Sequence, residues 1–268
     1  SYVLTTTVRA NLAHVARIIA CSSLPLLLEG ETSAGKTSII QHLAALTGNR
    51  LIRINNHEHT DMAEYMGSYV ADAEGRLLFR EGPLVEAVRK GFWIILDELN
   101  LAPTDVIEAL NRLLDDNREL FVAEENVTLR AHAGFRLFAT QNPAGTYGGR
   151  KRLSRALLSR FAVVAFPQLP LDELADMVVA RARVAPSAAK AMLQVLQDLR
   201  LRRSVAGLFS SRDGLMTLRD VFRWARRLAT DPGEDWKAAL LHHGFFLLAG
   251  RCRNDKDEEA VIEVLLSV

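Results

Sequence analysis

The 268-residue chain is long enough to bury a sizeable core, as one large domain or two smaller ones. Its 49% apolar and 24% charged content is that of a globular protein, and a net charge of +1 gives no global pull toward nucleic acid or a membrane surface. No apolar run approaches the roughly 20 residues of a membrane span, no signal peptide is visible at the start, and the two distant cysteines, Cys21 and Cys252, suggest no disulfide framework and fit a reducing compartment.

Val8 to Ser22 reads as a helix leading into a first strand, Leu26-Leu27-Leu28. Residues 30–37, Gly30-Glu31-Thr32-Ser33-Ala34-Gly35-Lys36-Thr37, complete the pattern G-x-x-x-x-G-K-[ST]. A helix follows from Ser38 to Leu46, with Ile39, Ile40, Leu43 and Leu46 apolar. Strand, loop and helix in that order turn a pattern into a mechanism. Glycines let the backbone curl until successive N–H groups face phosphate oxygens, helped by the positive end of the helix. Lys36 then reaches the β- and γ-phosphates and the Thr37 hydroxyl can ligate Mg²⁺. The expectation is a nucleoside-triphosphate site built from residues 30–38.

Leu51 to Ile54 is a second strand. The next 35 or so residues exceed a minimal βαβ crossover. They read as a short helix and a hairpin through Leu77-Leu78-Phe79, then a helix from Leu84 to Lys90. Asn55 and Asn56, at the end of the second strand, are candidates to hydrogen-bond Glu98, with a loop cap as the alternative. His57-Glu58-His59 lacks the i, i+4 spacing of a zinc site and has no cysteine partner.

Phe92 to Leu96 is a third strand and ends in two acids, Asp97 and Glu98. At the carboxyl end of a strand beside a phosphate loop, Asp97 can hold the hydration shell of Mg²⁺ and Glu98 can orient and deprotonate the attacking water. A helix over Pro103–Asp116 precedes Glu119 to Arg130, which alternates like a hairpin with Leu120, Val122, Val127 and Leu129 as inward positions. Phe135 to Thr140 is the fourth strand. Asn142 follows it, a neutral group able to place water and γ-phosphate without competing for metal. Its bland reading is a turn residue before Pro143.

Arg160 sits between a short helix bearing Leu153, Leu157 and Leu158 and the fifth strand, Ala162–Phe166. From that edge it can reach a neighbouring subunit's γ-phosphate, or simply complement a helix C-terminus. Arg150, Lys151, Arg152 and Arg155 add a basic cluster nearby. Past Pro167-Gln168-Leu169-Pro170 only helices are expected, at about 171–183, 187–201, 217–229, 235–249 and 256–267, with turns at Asp213-Gly214 and Asp231-Pro232-Gly233. Arg219 opens one of them and could contact the phosphates, with Arg212 the competing candidate. His242-His243 and Phe245-Phe246 read as packing residues of the fourth of these helices.

Together these features resemble an AAA+ ATPase module: a phosphate-loop, three-layer αβα domain with a parallel five-stranded sheet, followed by a small all-α lid. The boundaries expected are 1–167 for the nucleotide-binding domain and 168–268 for the lid. Several phrases resemble the midasin family, within the MoxR/dynein/midasin clade. They are Asn55 to Asp61, Leu96 to Pro103, Asn111 to Leu120, Ala139 to Pro143, Tyr147 to Lys151, Leu153-Ser154-Arg155 and, more loosely, Leu218 to Trp224. The resemblance covers residues 25–166 strongly and the lid less so.

It implies ATP with Mg²⁺ (Thr37, Asp97), Lys36 and Thr37 in Walker A, Asp97 and Glu98 in Walker B, Asn142 as sensor 1, Arg160 as arginine finger and Arg219 as sensor 2. Residues about 57–82 and 119–131 match the clade's helix-2 insert and pre-sensor-1 hairpin. It further implies neighbouring AAA+ modules in a hexameric ring, work on pre-60S ribosomal particles, and a nuclear setting, with no membrane and no sequence-specific nucleic acid. Midasin is far longer, and this chain opens at Ser1 without Met, so an excised piece is the expectation. The alternatives are a stand-alone, cytoplasmic MoxR-type homo-oligomer with chaperone-like activity, and a structural nucleotide-held module with little hydrolysis.

Overall fold

The computed structural model describes residues 2–142, 152–206, 216–231, 233, 235–252 and 255–268, and of residues 204–206 it describes the backbone. The phrase Tyr147 to Lys151, Pro143, Arg212 and the turn residues Asp213, Gly214 and Pro232 lie outside the described residues. The chain divides into two compact units, Asn11–Gln168 and Ser1–Ala10 with Leu169–Val268.

The first unit is a parallel sheet of five strands, β1 (Leu26–Gly30), β2 (Leu51–Asn55), β5 (Trp93–Asp97), β8 (Arg136–Gln141) and β9 (Ala162–Phe166), in the order β2-β5-β8-β1-β9. These strands are short and apolar because both faces are covered, as a parallel sheet requires. All five residues of β5 are buried. One face packs Leu27, Ile94, Leu96 and Leu137 against Val85 and Val88 of α4 (Pro83–Lys90) and Val106 and Leu110 of α5 (Thr104–Leu114). The other packs Leu26, Leu28, Ile95 and Phe138 against Ile39, Ile40 and Leu43 of α2 (Lys36–Leu46) and Val15 of α1 (Thr6–Cys21). Each fully buried side chain of this size is worth about 1.5–3 kcal/mol. The helix predicted from Ser38 starts two residues earlier, so Lys36 and Thr37 form its first turn.

The short α6 (Arg155–Leu158) leads into β9, and two antiparallel hairpins decorate the sheet. The first is β3 (Gly67–Ala71) with β4 (Leu77–Glu81), preceded by the single-turn α3 (Met62–Met66). The second is β6 (Glu119–Val122) with β7 (Val127–Arg130). Their sides touch: the Tyr69 hydroxyl donates to Glu124 O at 2.9 Å, and Arg89 bridges Glu81 at 2.8 Å and Glu125 at 3.0 Å. Of the four inward positions predicted in the second hairpin, Leu120 and Val122 are buried and Leu129 is half-buried. Val127 is 42% exposed although it pairs with Val122. The difference arises because only β6 lies on α5, while the β7 end nearest the turn faces solvent.

The second unit is helical: α7 (Leu171–Ala182), α8 (Pro186–Ala206), α9 (Leu218–Thr230), α10 (Trp236–Leu248) and α11 (Asp255–Leu266). Its core centres on Trp224, fully buried and fastened by Nε1 to Leu240 O at 2.9 Å. Gly244 of α10 lets the indole lie against bare backbone, since a Cβ there would stand 2.5 Å from Trp224 Cζ2. Thr217 caps α9 in a reciprocal box with Asp220, and Arg251 donates to the same carboxylate at 2.9 Å. The first residues of α1 group with this unit, where Glu173 accepts from the Thr7 amide at 3.0 Å and from the Thr7 hydroxyl at 2.8 Å. His242, Phe245 and Phe246 do not pack as predicted. They are exposed, Phe246 by 61%, because the buried stripe of α10 runs through Leu240, Gly244, Leu247 and Leu248.

Candidate functional site

The site forms where β1, β5 and β8 end on the same edge of the sheet, the position at which open α/β sheets bind ligands. The loop between β1 and α2 makes its turn at Ser33 (φ 69°) and Gly35 (φ 89°). Gly30 is required by close approach, because a Cβ there would lie 2.4 Å from Phe166 O. No side chain caps the N-terminus of α2, so that end of the helix is arranged for an anion rather than for a residue of its own loop. Ser33 Oγ is buried without a hydrogen-bond partner, a hydroxyl donor of the kind a phosphate oxygen accepts from.

Lys36 is 7% exposed. Its ammonium donates to Gly30 O at 2.7 Å, Glu31 O at 2.8 Å and Asn142 Oδ1 at 2.9 Å. Those bonds aim the charge across the loop instead of out to solvent. Asn142, just past β8, turns its amide nitrogen to Glu98 Oε1 at 3.4 Å. It thus touches both the loop lysine and the acid.

Asp97 is buried at the end of β5, and its carboxylate is heavily engaged. Oδ1 accepts from Thr37 Oγ1 at 2.7 Å and Thr140 Oγ1 at 2.9 Å, and Oδ2 faces Arg53 Nε at 2.5 Å. A carboxylate and a hydroxyl side by side are hard oxygen donors. They suit Mg²⁺, which takes one or two protein ligands and completes its shell with water and phosphate. Among the described residues no group of three or more His, Cys, Asp or Glu side chains is placed to hold a metal, and His57-Glu58-His59 lies in the loop after β2.

Glu98 takes a left-handed conformation, φ 54° and ψ 49°, which costs a non-glycine residue about 1 kcal/mol. It is held there from both sides of the Asp97–Glu98 peptide. The Glu98 N–H donates to Thr140 Oγ1 at 3.0 Å. The Asp97 carbonyl accepts from the Asn56 N–H at 3.0 Å and from Asn56 Nδ2 at 2.8 Å. Asn56 therefore grips the peptide before Glu98 rather than the Glu98 side chain, and Asn55 is exposed.

Arg160 lies at the far edge, before β9. Its guanidinium donates to Asn111 Oδ1 and pairs with Asp115 at 2.7 Å, both at the end of α5. Arg152 and Arg155 are exposed, and Arg150 and Lys151 lie outside the described residues. Arg219 is exposed as the second residue of α9, in the helical unit.

Three residues of the cluster escaped the motif reading: Arg53, Thr140 and the buried Tyr65 of α3, whose hydroxyl donates to Asn56 Oδ1. Thr140 carried a signal, because it lies two residues before Asn142 on an alternating strand and so shares its face. Arg53 and Tyr65 carried none, since only strand register and helix packing bring them in.

An open parallel sheet with a glycine-bent loop, an uncapped helix end and an acid-tipped neighbouring strand defines the phosphate-loop ATPases. The sequence profile of AAA domains of the dynein-related subfamily matches residues 25–161, and that of the midasin AAA lid domain matches residues 173–268. The chain belongs to the dynein-related AAA family, and it is a nucleotide-binding ATPase module in that general sense. Within the family it is similar to midasin. Identity is 48% with midasin of Dictyostelium discoideum and 44% with that of Giardia intestinalis, each over 98% of this chain. The chain spans only 4% and 5% of the length of those two proteins. It is also 32% identical over 177 residues to the denitrification regulatory protein NirQ of Stutzerimonas stutzeri, covering 66% of this chain and 64% of that one.

Among solved structures, NtrX of Brucella abortus in complex with ADP matches 88% of the chain and 52% of its own (TM-score 0.58, 17% identity). A protein of Cytophaga hutchinsonii matches 97% and 89% (TM-score 0.52, 18% identity). Both likenesses are of fold.

Proposed function

We propose that the chain is one AAA+ module of a midasin ring, that it hydrolyses ATP with Mg²⁺, and that its movement helps remove assembly factors from pre-60S ribosomal particles in the nucleus. The observation that carries the reading is the convergence of Lys36, Asn142, Glu98, Asp97 and Thr37 on one sheet edge. In this reading residues 1–167, with the inserts at about 57–82 and 119–131, bind nucleotide and 168–268 form the lid.

Residues 30–38 receive the triphosphate through loop amides, with Lys36 against the β- and γ-phosphates. Thr37 and Asp97 would hold Mg²⁺, which when bound supplies positive charge against the phosphate oxygens. Glu98 accepts a proton from the attacking water, and Asn142 places that water and the γ-phosphate. Hydrolysis is completed in trans: Arg160 of a neighbouring module supplies charge to the departing γ-phosphoryl group. Its hold on Asn111 and Asp115 supports this role by fixing the side chain at the edge of the unit. Arg219 senses the nucleotide from the lid. The likeness to NirQ over a comparable length favours one second reading, a self-assembling MoxR-type ATPase.

The deciding measurement is steady-state ATP hydrolysis against protein concentration, for the parent, Glu98→Gln and Arg160→Ala. Tight ATP binding with little hydrolysis at every concentration is expected of a module that needs unlike neighbours. A rate per molecule that climbs with concentration and vanishes in both variants would overturn the ring-fragment reading in favour of self-assembly. Failure of the parent to bind ATP would overturn both.

A further inference from the structure

The first hairpin is joined to the catalytic edge through one buried side chain. Its neck is a backbone crossing at Gly67 and Gly82. A Cβ on Gly67 (φ 108°) would stand 2.1 Å from Arg80 O, and one on Gly82 would stand 2.4 Å from both Gly67 N and Tyr65 O. The Gly82 N–H also donates to Met66 O at 2.8 Å. The chain cannot shift at this neck without moving α3, and Tyr65 lies on α3, 1% exposed within the sheet core.

The Tyr65 hydroxyl donates to Asn56 Oδ1. Burial first, and the charge of Glu64 as well, push the phenol well above its usual range against the opposing pull of the Asn56 bond. The hydroxyl therefore stays a proton donor. With its oxygen turned to Tyr65, the Asn56 amide must present its nitrogen to the Asp97 carbonyl, which it meets at 2.8 Å. That carbonyl belongs to the peptide that holds Glu98 left-handed.

We infer that Tyr65 is a positioning residue for Glu98: its hydroxyl orients Asn56, Asn56 fixes the Asp97–Glu98 peptide, and the hairpin thereby sets the aim of the catalytic carboxylate. The hairpin presents Tyr69, Val70, Leu77 and Leu78 to solvent, 46–70% exposed, so whatever moves it moves the neck and this relay. The inference rests on Glu98 acting as the base proposed above, and it adds a connection that no carboxylate–water geometry requires.

Tyr65→Phe removes one hydroxyl and keeps the ring. It is made alone, beside Asn56→Ala, and combined with it. Three readouts are taken on each: ATP affinity, the slow single-turnover hydrolysis of bound ATP, and hydrogen exchange at the amides of Glu98 and Leu101, whose partners are Thr140 Oγ1 and Glu98 O. The expected result for Tyr65→Phe is unchanged ATP affinity, exchange at both amides about tenfold faster, and a single-turnover rate about tenfold lower. That factor is the loss of one hydrogen bond of ordinary net worth. The double variant should be no worse than Asn56→Ala alone, because both changes cut the same relay.

Exchange at Glu98 and Leu101 equal to the parent, or effects of the two substitutions that add, would overturn the relay. Loss of ATP affinity in Tyr65→Phe would also overturn it, showing a merely structural role. A parent that fails to bind ATP would sink the functional reading alone, and the exchange comparison would still decide the relay.

Discussion

Replacing Thr140 by valine tests whether the acid edge is held by hydrogen bonds or by shape. Valine keeps the volume and the β-branch but deletes one oxygen, which here does two jobs. It accepts the Glu98 N–H at 3.0 Å and donates to Asp97 Oδ1 at 2.9 Å. The side chain is 3% exposed, so water does not readily replace it. A buried N–H left without a partner costs about 1–3 kcal/mol, and a hydrogen bond to a charged group contributes about 1.5–3 kcal/mol. Asp97 keeps Thr37 and Arg53, and the left-handed strain at Glu98 is released when its tether goes. Together these reduce the sum, leaving an expected loss of about 2–4 kcal/mol.

Thr140→Ser is the control. It keeps the hydroxyl and loses a buried methyl, at a cost of about 0.5–1.5 kcal/mol. Native-state hydrogen exchange at β5 and β8 amides measures the stability of this unit without the helical one. The expected order is parent, serine variant, valine variant. A valine variant as stable as the parent, or more stable than serine, would refute the argument, because apolar packing would then outweigh both bonds. Single-turnover hydrolysis of bound ATP should follow the same order, since the Glu98 backbone is released only by valine.

Three further outcomes are expected. Gly244→Ala gains about 1 kcal/mol of helix propensity. It also drives a methyl to 2.5 Å from Trp224 Cζ2 and 2.9 Å from Leu265 Cδ2, and overpacking of that kind costs about 1–3 kcal/mol. The indole is fastened to Leu240, so the clash should win and urea unfolding of the helical unit should shift to lower concentration. Burial raises the Asp220 pKa, but the Thr217 amide and hydroxyl and Arg251 outweigh it and leave the group below its ordinary 3.8. A depressed carboxyl contributes stability that is present above its unfolded value and lost as pH falls through the folded one. Acid unfolding of the helical unit should therefore begin below about pH 4 and be blunted in Asp220→Asn, read by far-UV circular dichroism. Lys36→Ala should abolish ATP binding in isothermal titration while the sheet amides keep their exchange protection, since the ammonium's bonds to Gly30 O, Glu31 O and Asn142 Oδ1 lie at the edge of the sheet.

Most of the sheet unit was legible because its strands are short apolar runs and its loop obeys a motif whose chemistry constrains every position. Glu98, Asn142 and Lys36 are legible as candidates that way, each at the end of an element whose period is plain in the sequence, and the structure brings the three together. The residues that hold them were not. Asn55 faces Asp97 and Leu96 faces Ala139 across three strands. That register is a property of the assembled sheet, settled by packing on both faces rather than by any one strand. It brings Arg53 from β2 and Thr140 from β8 onto one carboxylate of β5, and it places Asn56 beside the peptide that carries Glu98. A sequence read along the chain shows polar residues at strand ends and leaves their partners open, which is why Asn56 reads as a partner of Glu98 and in the structure holds the carbonyl of the preceding residue, Asp97. The same limit explains α10. Its helix was plain, but four aromatic or imidazole side chains in five positions wrap around more than one face. Only Gly244 beneath Trp224 decides which face turns inward, because the indole can lie flat against the helix only where no Cβ intervenes.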